Sequence, residues 1–220
     1  MEGTTSVVMA AHEAEAHVAE AIESVLRDPA IRRRELELCV VDDGSTDSTA
    51  DIVAGFGSEV TLIRQRNLGP ALARNTGVAN TGGEFIAFLD ADDLWIEGRA
   101  ETQIAALRAA GPRSGICFGR ELRFGLETSE SKASTSNTAL VRRMAWERVG
   151  TFSGEWRVGE FLDWLARARD AGVGEVLVDA AVVRRRVHAA NLTAGNPAAL
   201  QDYVQILQHS LERRRKKEGN

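Results

Sequence analysis

Phe85-Ile86-Ala87-Phe88-Leu89-Asp90-Ala91-Asp92-Asp93 is the stretch that decides the fold of this chain. Its first five residues form an unbroken apolar run, bulky and preceded by Gly82-Gly83, the pattern of a strand buried on both faces. Unpaired carboxylates are costly to bury, so Asp90, Asp92 and Asp93 are expected at the end of that strand, facing solvent, a cation or a charged ligand. In an open α/β sheet the carboxyl ends of the strands are where ligands bind. A D-x-D at that place suits a divalent metal holding a diphosphate. Hard oxygen donors select Mg²⁺ or Mn²⁺, which commonly keep one or two carboxylates together with substrate phosphates. Taken alone, so short a motif is equally a solvated acidic turn, with Asp93 capping the helix that follows.

Working outward, strands and helices alternate through the first half. Ser6–Ala10 reads as a strand. A helix is expected over Glu13–Arg27, with Val18, Ile22, Val25 and Leu26 on one stripe and Pro29 marking its end. Leu36–Val41 is a second apolar strand, closed by the turn cluster Asp42-Asp43-Gly44-Ser45-Thr46-Asp47, in which Ser45 or Asp47 can cap a helix over Ser48–Ala54. Val60–Ile63 reads as a third strand, and Pro70 stands at the first turn of a helix over Ala71–Ala79. Such alternation with short connections implies parallel strands with helices on both faces, a Rossmann-like α/β layout.

The second half is less regular and predicts a mixed arrangement. Helices are expected over Glu97–Ala110, Arg143–Val149 and Phe161–Ala171, and short strands over Gly115–Phe118, Thr138–Val141, Glu175–Val178 and Ala181–Val187. Glu127–Asn137, rich in Ser, Thr and charge, reads as a mobile surface loop. Pro197–Arg215 is amphipathic through Leu200, Tyr203, Val204, Leu207 and Leu211. It ends in Arg213-Arg214-Arg215-Lys216-Lys217, a solvated helix end or a contact with a membrane surface. The chain divides on this reading into a domain over 1–196, with halves at 1–95 and 96–196, and a C-terminal helix over 197–220.

The composition narrows the classes. With 220 residues, 44% hydrophobic and 27% charged, the chain can bury one sizeable core. A net charge of −5 argues against a general nucleic-acid partner. No window suits a transmembrane span, and Met1-Glu2-Gly3-Thr4 lacks a basic leader region. Cys39 and Cys117 lie in separate apolar runs and read as lone buried thiols, which fits a reducing cytoplasm.

Two acidic clusters, Asp42-Asp43 and Asp90-Asp92, thus close separate strands of one half, and adjacent parallel strands would bring both to one sheet edge. With Ser6–Leu26, Val40–Thr49 (VVDDGSTDST), Asn67–Asp93 and Asn137–Phe152, this ordered set closely resembles family 2 glycosyltransferases of the GT-A fold, over about the first three quarters of the chain. The resemblance implies a nucleotide-sugar donor with UDP as its nucleotide, and Mn²⁺ or Mg²⁺ as cofactor. It also implies that Ala10, Ala11, His12 and Glu13 line the base pocket. Within the Asp42-Asp43 pair, the second carboxylate would contact the base or ribose. Arg74 would approach the diphosphate. Asp90, Ala91 and Asp92 would form the metal-binding motif, with Asp92 the direct ligand. Arg186 and His188, in an Arg-x-His stretch followed by Asn191, resemble the segment that closes over the diphosphate, with His188 a candidate for the metal shell.

Two departures stand out. Ala10-Ala11-His12 replaces the residues usual after the first strand. Inverting members carry an adjacent Glu-Asp pair before a helix, its Asp the catalytic base, whereas this chain reads Gly159-Glu160-Phe161-Leu162-Asp163-Trp164-Leu165-Ala166-Arg167. Anchored on Arg167, Phe161 falls where that Asp would be. Asp163 is the favoured base, Glu160 the alternative, and a simple i,i+4 pair between Asp163 and Arg167 the structural reading. The expected activity is inverting transfer of a sugar to an acceptor hydroxyl. A nucleotidyltransferase and a binding module without turnover are the other readings. The acceptor and the oligomeric state are not legible.

Overall fold

In the computed structural model, which describes residues 3–132, 134–156, 158–188 and 197–218, the first half is a run of alternating elements. These are β1 (Thr5–Ala11), α1 (Val18–Leu26), α2 (Pro29–Arg32), β2 (Leu36–Asp42), α3 (Thr49–Ala54), β3 (Thr61–Arg64), α4 (Pro70–Ala79) and β4 (Phe85–Asp90). The second half holds β5 (Leu94–Trp95), α5 (Arg99–Ala109), β6 (Ser114–Gly125), β7 (Ser129–Ser131), β8 (Ala139–Arg142), α6 (Arg143–Val149), α7 (Glu160–Asp170), β9 (Gly174–Val187) and α8 (Pro197–Glu218). All strands belong to one sheet in the order β3-β2-β1-β4-β8-β6-β9-β5, with β7 paired to β6.

β1 to β4 are mutually parallel, as the alternation predicts. β8 then enters antiparallel between β4 and β6, while β6 and β9 run parallel and β5 closes the far edge antiparallel to β9. The register sets the site: Ala10 lies opposite Asp90 on β4, and Ala11 opposite Asp42 on β2. Both acidic clusters are therefore brought to one sheet edge.

Period-two alternation in β4 divides the core. Phe85, Ala87 and Leu89 face the side packed by α1 and α5, and Ile86 and Phe88 the other. The second side is aromatic: Phe88, Trp146, Phe152 and Trp164 form a cluster in which Trp146 and Phe152 meet edge-on at 4.8 Å. Trp164 is wholly buried, and truncating it to Ala would cost about 3–5 kcal/mol. Gly77 on α4 carries a close approach, since a Cβ there would meet Val8 Cγ1 at 2.4 Å. Only glycine lets α4 lie this tightly on β1, and α4 carries Arg74.

Several expected elements differ. The first helix begins at Val18 rather than Glu13, because the backbone N–H groups of Glu13, Ala14 and Glu15 donate to Ser45 Oγ, Thr49 Oγ1 and Asp47 Oδ2 instead of to a helical ladder. Pro29 does not merely end that helix; it opens α2, capped by Asp28, whose Oδ1 accepts from Ala30 N at 3.0 Å. The short strand expected at Gly115–Phe118 extends to twelve residues, and the two strands expected over 175–187 are one of fourteen, joined through register shifts against β6 near Phe118–Arg120. The stretch expected to be a mobile loop holds β7 and a single 3-10 turn over Ser136–Thr138, where Asn137 and Thr138 are buried. Cys39 and Cys117 are free and buried, and burial pushes both thiols up to about 11. Among the described residues no helix is long and apolar enough to cross a membrane.

Candidate active site

The nucleotide side of the site is two loops stitched together. Glu13, at φ 50°, accepts on Oε1 from Thr46 N at 2.7 Å and Thr46 Oγ1 at 3.0 Å, while its own N–H donates to Ser45 Oγ. His12 is exposed, and its Nε2 lies 3.1 Å from Asn67 Nδ2. Asp42 and Asp43 are buried, at 1% and 3% exposure, and so are not surface carboxylates. Asp42 Oδ1 accepts from Ser45 N at 3.2 Å. Asp43 is fully engaged: Oδ1 accepts from Gln65 Nε2 at 2.7 Å and Leu68 N at 2.9 Å, and Oδ2 from Gly69 N at 2.8 Å. Its charge fixes the loop that leads into α4, with Gly69 at φ 91° just before Pro70.

Next to this, at the end of β4, Asp90, Asp92 and Asp93 offer carboxylate oxygens that all lie within 4.8 Å of one another. Ala91 is buried beneath the turn, which is closed by Asp93 N donating to Asp90 O at 3.1 Å. Asp93 caps no helix; α5 begins after Gly98, and the Asp93 side chain instead turns inward at 1% exposure. It accepts from Arg186 N at 2.8 Å and from Asn137 Nδ2 at 2.6 Å. Asn137 also donates to Asp90 Oδ2 at 2.8 Å. Burial, then the charges of Asp90 and Asp92, push the Asp93 carboxyl up to about 9. Crowded hard oxygens, this mutual repulsion, and a buried Asn137 Oδ1 with no partner fit a divalent cation. His188 Nε2 lies 2.9 Å from Asp92 Oδ2, and the His188 ring packs on His17 at 5.3 Å. Arg186 donates from Nε to Asp92 O at 3.1 Å, pairs with Glu20, and lies over the Phe124 ring. Asn191 of the expected closing segment lies outside the described residues.

The two candidate bases have different surroundings. Arg74 is buried and bridges two carboxylates, with Nη2 to Asp90 Oδ1 at 2.6 Å and Nη1 to Glu160 Oε1. Burial draws the Arg74 pKa down, but Asp90 and Glu160 outweigh it and hold the guanidinium above its ordinary value. Glu160, first residue of α7, is thereby joined to the acidic triad through one guanidinium. Asp163 is one turn on, and both its oxygens are taken by arginines: Oδ2 by Arg167 at 2.9 Å, Oδ1 by Arg213 of α8 at 3.2 Å. The i,i+4 pair with Arg167 is therefore present, and no contact between Asp163 and the triad is made.

α8 also reaches the start of α7. Asp202 Oδ2 accepts from Val158 N at 3.1 Å. Gly159, at φ 84°, has Tyr203 and Ile206 so close that a Cβ would meet each at 2.9 Å. Sequence reasoning missed Asn137, the inward turn of Asp93, and this support from α8. Asn137 opens a stretch quoted for the family resemblance, which was its one signal.

A twisted α/β sheet whose parallel half ends in a nucleotide-type loop and an acidic triad is the architecture of GT-A glycosyltransferases, and solved members share it. Staphylococcus aureus TarS (residues 1–349, in complex with UDP-GlcNAc) superposes with a TM-score of 0.79 at 19% identity, over 94% of this chain and 65% of that one. The mannosyltransferase PcManGT from Pyrobaculum calidifontis, in complex with GDP-Man and Mn²⁺, gives 0.76 at 20%, over 94% of this chain and 64% of that one. Residues 6–172 match the family profile "Glycosyl transferase family 2", and the chain belongs to that family. Among curated relatives it is 38% identical over 104 residues to the Escherichia coli UDP-Glc:alpha-D-GlcNAc-diphosphoundecaprenol beta-1,3-glucosyltransferase WfgD, covering 46% of this chain and 40% of WfgD. It is 39% identical over 87 residues to an uncharacterized glycosyltransferase of Rickettsia felis, covering 39% of this chain and 14% of that protein. The chain thus spans less than half the length of these relatives.

Proposed function

We propose that this chain catalyses inverting transfer of a sugar from a nucleoside-diphosphate donor, a UDP-sugar, to an acceptor hydroxyl, with Mn²⁺ or Mg²⁺ required. The observation that carries this reading is the Glu160–Arg74–Asp90 bridge, which ties a carboxylate at a helix start to the triad suited to a diphosphate-bound cation. Glu160 is the base on this reading, supported by its link through Arg74 to the triad, and Asp163, paired with Arg167 and Arg213, supports the helix. The loop of Ala10, Ala11, His12 and Glu13 and the loop held by Asp43 form the donor's nucleoside pocket. The UDP-GlcNAc complex of TarS and the donor in the name of WfgD support UDP.

In the reaction the acceptor O–H gives its proton to the Glu160 carboxylate as the acceptor oxygen bonds to the anomeric carbon. The bond from that carbon to the β-phosphate oxygen breaks, and its electron pair leaves with the nucleoside diphosphate. Attack from the face opposite the leaving group inverts the centre. Asp90, Asp92 and Asp93 would hold the divalent ion, which when bound supplies Lewis-acid stabilisation of the leaving diphosphate. Arg74 orients Glu160, and Arg186 and His188 hold positive or proton-donating groups on the far side of the triad.

The test is a donor panel of UDP-glucose, UDP-N-acetylglucosamine and GDP-mannose, scored for release of nucleoside diphosphate with Mn²⁺, Mg²⁺ or chelator. Metal-dependent release from a UDP-sugar is expected. Tight donor binding without release from any donor or with any acceptor would favour the binding-module reading.

A further inference from the structure

Most of the apolar stripe that makes α8 amphipathic in sequence is not the face by which it docks. The helix packs on α7 through Ile206 and Ser210, with Tyr203 and Ile206 against Gly159 and Arg213 on Asp163 and Asp170. Val204, Leu207 and Leu211, spaced i, i+3 and i+7, are left on the opposite face at 47%, 57% and 54% exposure. Two residues beyond Leu211 the helix enters the run Arg213-Arg214-Arg215-Lys216-Lys217, flanked by Glu212 and Glu218; the first member of the run, Arg213, turns inward onto Asp163 and Asp170. Arg215 is exposed. In a chain of net charge −5 this is its densest basic run. An uncovered aliphatic stripe continuous with a basic helix end matches the two-part signal by which a helix lies in a bilayer interface: apolar side chains enter the acyl boundary and cations meet anionic headgroups. Neither part suffices alone, since one short apolar insertion or a few surface charges give only marginal binding.

We propose that the outer face of α8 is a docking surface for an anionic membrane, with Val204, Leu207 and Leu211 inserted and the basic residues that follow Arg213 meeting the headgroups. The proposal does not rest on the catalytic reading. It gives α8 two faces with separate tasks, an inner one on α7 and an outer one on lipid. The aliphatic stripe alone would equally suit a second copy of the chain, but the run of like charge that follows it in sequence would repel its own image across such a contact.

The experiment is sedimentation of the full chain with phosphatidylcholine vesicles, with and without phosphatidylglycerol, at low and high salt. Binding to anionic vesicles on the order of tenfold or more above neutral ones, and falling with salt, is expected. The double variant Leu207→Asp and Leu211→Asp should lose most of that binding with its thermal midpoint unchanged, because both side chains are exposed. A second variant, Arg214→Glu with Arg215→Glu, removes the charge arm without touching the stripe and should lose the anionic preference. Equal partition onto neutral and anionic vesicles, or none onto either, overturns the proposal. So does light scattering that shows a dimer which Leu207→Asp and Leu211→Asp convert to monomer.

Discussion

The two acidic clusters sit at the ends of β2 and β4, on either side of β1, yet they manage charge in opposite ways. Asp43 is buried among donors that match its lone pairs: one side-chain amide and two backbone N–H groups. Its negative charge is spent inside the protein, on holding the approach to α4. Asp90, Asp92 and Asp93 are crowded together, and Asp93 is so disfavoured as an anion that its pKa rises to about 9. Asn137, Arg74 and His188 contact them at the rim. Identical residue types at the ends of two strands are thus matched to protein donors in one place and crowded against one another in the other. The supply of backbone donors differs between them. The 65–69 loop turns the N–H groups of Leu68 and Gly69 toward Asp43, whereas Asp93 accepts one, from Arg186.

Variants test this contrast in order of expected size. Glu160→Gln removes the carboxylate linked to the triad and should lower turnover by on the order of a hundredfold or more, with donor affinity unchanged by calorimetry. Asp163→Asn should keep turnover within a few-fold; loss of all transfer in that variant would return the base to Asp163. Asp92→Asn should abolish most of the difference in UDP affinity between Mn²⁺ and chelator, titrated side by side, while leaving the thermal midpoint nearly in place. Asp43→Ala should do the reverse of Asp92→Asn. Two backbone N–H groups lose their buried acceptor, so unfolding in urea should show a loss of about 2–4 kcal/mol. If Asp43→Ala is as stable as the parent and only nucleotide affinity falls, the contrast fails. Asp42→Asn is the smallest change, because its carboxylate holds one N–H at 3.2 Å and a longer, half-exposed pairing with Arg64. A shift under about 1 kcal/mol is expected in the same urea titration.

Local pattern made the first half legible. The apolar runs of β1, β2 and β4 and the turn residues after each announce a parallel sheet and put both clusters at its edge, and the register bears this out. Features set by distant contacts were hidden. Asn137 lies in a Ser- and Thr-rich stretch that reads as solvent-facing, and becomes a buried donor only because β8 enters the sheet beside β4. The length of β9 was masked by Asp179-Ala180, which interrupt the apolar pattern at the place where the pairing with β6 shifts register before resuming at Ala181. Spacing put Glu160 and Asp163 on one helical face, but their partners come from α4 and α8, far away in sequence. For α8, periodicity grouped Tyr203 with Val204, Leu207 and Leu211, but Tyr203 packs inward on Gly159 while the other three are exposed, since a helix docked by Ile206 and Ser210 offers little apolar signal on its inner side.

Gly159 has a consequence for how this enzyme can be taken apart. The family match ends at residue 172, while the side chains enclosing Gly159, Tyr203 and Ile206, come from beyond it. The opening turn of the helix that bears Glu160 is therefore cast against a mould supplied by a later piece of the chain. A chimera that keeps residues 1–188 and borrows its C-terminal helix from another relative inherits every family motif but not the mould. Such a hybrid should fold, bind donor and turn over poorly until Tyr203, Ile206 and Arg213 are transplanted with it. Modules in this protein are best cut after α8, not at the boundary that sequence similarity draws.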